Sequence, residues 1–120
     1  MEPIRSFLTF FYILDSYYGL CKEDDLGAFL GMISPEIWTH GLPSDIAIYD
    51  DWKELIVKDA CVTKENILVF GKKFLEMYAG YLEFNFEQTL NLLKNQIDPL
   101  ILEQAIKKAN KLCEKHQYTI

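Results

Sequence analysis

The sequence predicts an all-α protein, a compact bundle of about six helices in a single domain. Three observations carry this. Apolar residues recur at three- and four-residue spacing over residues 4–20, 63–82 and 98–113. Helix-start signals precede other runs: Ser44, Asn85 with Gln88 three residues on, and Asp98-Pro99. The β-branched stretches at 57–62 and 67–70 show no sustained alternation, so strands are not expected. A chain of 120 residues with half its positions apolar can bury a core without metal or disulfide staples.

The elements follow in order. Ile4, Phe7, Leu8, Phe11, Leu14 and Tyr18 form a helical stripe that Phe10, Ile13 and Tyr17 widen. A helix covered so widely belongs at the centre of a bundle. Glu23 or Asp24 is placed to cap a second helix over about 24–33, which buries Leu26, Phe29, Leu30 and Ile33. Gly27 and Gly31 lie four apart and suit a close helix crossing. Ser34-Pro35-Glu36 fits a single helical turn, and Gly41-Leu42-Pro43 breaks the chain. Ser44 caps a third helix over about 45–58, with Ile48, Trp52, Leu55 and Ile56 inside. Thr63 opens a fourth helix to about Leu82, with Ile67, Phe70, Phe74, Leu75, Met77, Tyr78 and Tyr81 on its inner side. The fifth spans about 86–95. The sixth starts at Asp98-Pro99 and turns Leu102, Ile106, Ala109 and Cys113 inward, with Ile101, Ala105 and Leu112 beside them. Residues 14–19 (LDSYYG) resemble residues 75–80 (LEMYAG), sixty-one positions on, which leaves open two stacked helical halves.

Charge is uneven. Residues 1–60 hold eleven Asp/Glu against four Lys/Arg, a net −7, whereas residues 61–120 hold seven against eight, a net +1. An acidic first half repels nucleic acid and attracts basic partners. Lys107, Lys108, Lys111 and Lys115 gather toward the C-terminal end of the last helix, where cations suit the helix dipole. Three cysteines without CxxC spacing read as buried free thiols in a reducing compartment, not as a zinc site or disulfide framework. The apolar run at 7–14 is too short for a membrane span. Its flanks, with Glu2, a single Arg5 and Asp15, fit a secretion signal poorly. The expected location is the cytoplasm.

No motif spells out catalysis. Asp24-Asp25 and Asp50-Asp51 are adjacent pairs, whose side chains diverge by about 100° on a helix and do not converge on one cation. His40 and His116 are isolated, and no serine or cysteine sits in a nucleophile elbow. The expectation is no enzyme, no metal and no cofactor. Trp38 and Tyr49 lie among acidic residues and could form a binding patch, since Trp and Tyr lead among interface hot spots; Trp52 reads as core.

Two blocks carry a family resemblance: Tyr18, then Asp24-Asp25-Leu26-Gly27 with Leu30-Gly31, and later Asp45-x-Ala47 with Asp50-Asp51-Trp52. They resemble small bacterial immunity proteins encoded beside polymorphic and contact-dependent growth inhibition toxins. In that family a Tyr-rich helix leads into a DDLG-type block and then D-P-A-x-W-x-D-W. This chain has Ile46 where proline is usual and Tyr49 where tryptophan is usual. The resemblance covers about residues 10–55. It implies a cytoplasmic immunity protein that binds the C-terminal domain of a cognate toxin, often a nuclease, with neither nucleic acid nor membrane as partner. The acidic character of the first half suits a basic partner. The candidate partner-binding residues are therefore Asp24, Asp25, Trp38, Asp45, Tyr49, Asp50, Asp51 and Glu54. The alternative is a non-catalytic helical adaptor with another protein partner. A small metal-dependent bundle using Asp24, Asp25 and Asp51 is the third reading.

Overall fold

In a computed structural model the described residues are 1–35, 46–57, 61–94 and 97–116. They form six helices: α1 Pro3–Cys21, α2 Asp24–Ile33, α3 Ile46–Val57, α4 Ile67–Leu82, α5 Glu87–Lys94 and α6 Pro99–His116. There is no strand among them. The radius of gyration of 13.2 Å is that of a globule of this length.

α1 is the axis. It touches all five other helices, with α6 lying along it most extensively. Its wide apolar stripe requires this: Phe7, Leu8, Phe10, Ile13 and Leu14 are all buried, and even Ser6 and Thr9 are enclosed. Those two hydroxyls find partners within the helix, Ser6 Oγ donating to the Pro3 carbonyl at 2.7 Å and Thr9 Oγ1 to that of Arg5 at 2.8 Å. Ser6 Oγ also accepts the Trp52 indole N–H at 2.9 Å. Trp52 is thereby satisfied inside the core. Its ring stacks on Phe10, with centroids 5.4 Å apart and 10° between planes, and meets Phe74 edge-on at 5.2 Å.

The α1–α4 crossing is the tightest point. A Cβ on Gly71 would lie 2.1 Å from the Phe10 ring, so only glycine fits. The expected close crossing at Gly27 is also present, with a Cβ there meeting Tyr18 at 2.8 Å, whereas Gly31 faces open space.

Several local expectations are corrected. Glu23 makes no side-chain cap on α2. α4 starts at Ile67 rather than Thr63, because Asn66 folds residues 63–66 into a turn: its Oδ1 accepts the Thr63 N–H at 2.7 Å. Tyr81, expected inside, is 66 % exposed. Of the cysteines only Cys113 is buried; Cys21 is half-buried and Cys61 exposed. Asp98 caps α6 as expected, accepting the Leu100 N–H at 2.9 Å. The third-helix cap Ser44 and the 41–43 break lie outside the described residues.

α1 and α4 share one plan. α1 closes at Lys22 and α4 at Glu83, sixty-one residues apart, both in the left-handed conformation (φ 51° and 57°), and a short helix follows each. Ser6, Thr9, Phe10, Ile13, Leu14 and Tyr17 are buried in α1, as are Ile67, Phe70, Gly71, Phe74, Leu75 and Tyr78 at the same offset in α4. No helix among the described residues is long and apolar enough to cross a membrane.

Candidate interaction surface

The candidate carboxylates divide into those bound within the fold and those left outward. Glu23 bridges from the start of α2 to the start of α5. Its oxygens accept the Gln88 N–H at 2.9 Å, the Thr89 N–H at 3.2 Å and the Thr89 hydroxyl at 2.8 Å. Asp25, one of the predicted contact residues, accepts the Asn85 N–H at 2.6 Å. Asn85 in turn caps α5, its Oδ1 accepting the Glu87 N–H at 3.0 Å. The free N–H groups at a helix start favour anionic partners. Here Glu23, just before α2, adds a second carboxylate to the Glu87 that α5 carries in its own first turn. Asp51 accepts the Tyr78 hydroxyl at 2.5 Å and ties α3 to α4.

Asp24, Asp50 and Glu54 are exposed. Among the described residues Asp50 pairs only with Lys53, 3.3 Å away on the same helix, a contact of little energetic weight. Asp24 and Glu54 make no hydrogen bond or ion pair among the described residues. Trp38 and Asp45 lie outside the described residues, as does His40.

Tyr49 corrects the expectation of an exposed aromatic contact. It is fully buried, edge-on to Phe7 at 5.3 Å, with the Lys53 ammonium 4.9 Å from its ring centroid. Burial, then the charges of Asp50 and Cys113, push its phenol up to about 12. Among the described residues its hydroxyl has no hydrogen-bond partner, nor have Arg5 Nε and Asn110 Oδ1, where α1, α3 and α6 meet. Burial also raises the Cys113 thiol, against the pull of the Arg5 guanidinium.

Sequence reasoning missed Tyr81 and Leu82 at the end of α4, both exposed. Tyr81 packs edge-on against Tyr78 at 5.6 Å, and Tyr78 packs against Phe29 at 5.4 Å. Phe29 also touches Phe84 and Phe86. An aromatic ridge therefore runs from Asp51 to the Asp25–Asn85 contact, with Tyr81 outside it. Helical period put Tyr81 on the inner stripe, but α4 ends one residue later and leaves Tyr81 and Leu82 exposed. One signal was present in the sequence: residues 74–93 contain Glu76, Glu83 and Glu87 and no lysine or arginine. Of the second-half lysines, Lys72 and Lys73 lie on α4 and Lys94 ends α5. Lys107, Lys108, Lys111 and Lys115 are all exposed on α6, which packs chiefly on α1.

The arrangement can offer an acidic, tyrosine-bearing face to a cationic partner. Among the described residues no three His, Cys, Asp or Glu side chains gather as metal ligands would. No known protein family, curated protein or solved structure matches this chain.

Proposed function

We propose that the protein is an immunity protein that binds and neutralises a cognate toxin domain, a nuclease above all, in the cytoplasm. The observation that carries the reading is the net −7 of residues 1–60, with Asp24 on α2 and Asp50 and Glu54 on α3 exposed. A nuclease surface is basic because it must hold phosphate. Opposite potentials speed association with such a surface and disfavour wrong partners. The DDLG and DDW blocks support the same role through the family they resemble.

The test is co-purification with the C-terminal domain of the toxin encoded immediately upstream, together with protection of cells expressing that domain. A stable complex whose association rate falls with salt is expected. No complex at micromolar concentration and no protection would sink the proposal. A gene neighbourhood without any toxin would favour the adaptor reading instead.

A further inference from the structure

The matched helices α1 and α4 also touch at matched positions. At the sixty-one-residue offset Phe10 corresponds to Gly71, and these two make the close contact described above. Met1 corresponds to Val62, and the Met1 amine donates to the Val62 carbonyl at 2.7 Å. Leu14 with Leu75, Tyr17 with Tyr78 and Gly19 with Gly80 are identical pairs. Units stacked by simple translation would bring unlike positions together. When two like units touch through the same position and the same face, a two-fold axis relates them, as in an isologous dimer. We infer that the chain is two copies of one helical unit, residues 1–61 and 62–120, packed as a fused homodimer about a pseudo-two-fold axis between Phe10 and Gly71. The interaction surface is the seam between the halves, and the partner each half fits is a second copy of itself.

Three further observations agree. The inward stripe of α2, Leu26, Phe29, Leu30 and Ile33, recurs sixty residues on as Phe86, Thr89, Leu90 and Leu93, so the short helix after each left-handed closure turns the same face inward. The last helix of each half crosses to the other half: α6 lies along α1, and α3 packs on α4. α3 touches α1 as well, so the halves are not exact copies. The equivalent tyrosines each meet a carboxylate of the opposite half, Tyr78 bonding to Asp51 and Tyr17 facing the charge of Asp98. Position 10 also explains itself. On a two-fold axis a side chain meets its own counterpart, and two phenylalanine rings cannot fill one space in a close-packed core. Phe10 and Gly71 form a knob and a hole, a difference that a tandem chain can encode and a true homodimer cannot.

The test reverses knob and hole in the intact chain, with Phe10→Gly, Gly71→Phe and the double variant read by thermal melting, and the double variant also by its crystal structure. Each single change should lower the melting temperature by about 10 °C or more, the first by leaving a cavity and the second by overpacking. The double variant should regain more than half of the larger loss. In the wild type the Phe10 ring lies edge-on to Phe74, with centroids 6.4 Å apart. Under the two-fold, the new ring at position 71 should lie against Ile13, the counterpart of Phe74, with α1 and α4 crossing where they did. A core that merely tolerates the exchange has no reason to choose Ile13. Recovery of less than half, or a ring seated elsewhere, overturns the inference. Should Gly71→Phe fold in neither background, Phe10→Ala with Gly71→Leu poses the same question with less bulk. There, a double variant more stable than Gly71→Leu alone supports the two-fold, and one no more stable overturns it. Either outcome leaves the inhibitor role untouched.

Discussion

Tyr49 is a buried phenol whose hydroxyl meets no partner among the described residues, an arrangement that costs free energy. Tyr49→Phe keeps the ring against Phe7 and beneath Lys53 and removes the orphaned group. It should stabilise the protein by about 1 kcal/mol in denaturant titration. The same residue predicts alkaline behaviour. Its pKa is raised from 10.0 to about 12, so the fold favours the protonated phenol. That contribution is complete below pH 10 and is lost as pH rises through about 12. Wild type should therefore lose stability over that window more steeply than Tyr49→Phe. Burial, with Asp98 adding, shifts Tyr17 in the same direction in both proteins. Trp52 is the opposite case, a fully buried ring whose N–H is bonded to Ser6. Trp52→Ala should cost about 3–5 kcal/mol, read as a lowered denaturation midpoint. Of these two residues, Trp52 was legible as core from its place on an apolar stripe. Tyr49 was not, because it follows Ile48 directly and adjacent helix positions point about 100° apart. Only the tertiary arrangement of α1, α3 and α6 around that point encloses both faces.

At the scale of elements, two devices hold the helices in register. The first is the contact of Gly71 with Phe10 where α1 meets α4. Gly71→Ala improves helix propensity by about 1 kcal/mol, yet its Cβ would penetrate the Phe10 ring. The overpacking term wins: a net loss of about 1–3 kcal/mol is expected in thermal or denaturant unfolding. The second device is the capping of α5 by Glu23. α5 has eight residues and a weak hold of its own. Glu23→Ala should cost about 0.5–2 kcal/mol, with hydrogen exchange accelerating first at Gln88 and Thr89. All six helices were readable from period and caps, since those signals are local. Which helix Glu23 would cap was not, because a carboxylate placed before α2 by sequence reaches α5 only through the fold. Asn66 delayed α4 by a similar local competition, turning residues 63–66 instead of letting Thr63 open the helix.

For the molecule as a whole, charge placement is what a partner would meet. Asp50 and Glu54 are exposed and make no hydrogen bond or ion pair to another helix among the described residues, so reversing both to lysine should leave the fold intact. If the proposed role holds, the double variant should associate more slowly with the toxin domain, with a flatter salt dependence. The same reversal at Asp51 would confound the reading, because it breaks the bond to Tyr78. The net asymmetry between halves was plain in the sequence, but the face was not. Asp51 on Tyr78 ties α3 to α4 and Asp25 on Asn85 ties α2 to the start of α5, contacts that form only in the packed fold. Glu23, Asp25 and Asp51 are fastened to neighbours, whereas Asp24, Asp50, Glu54 and Tyr81 are not committed to holding the fold together. Under the proposed role, a lineage that switched adversaries could rewrite the idle positions one at a time without unravelling the scaffold, while the fastened three would have to stay as they are.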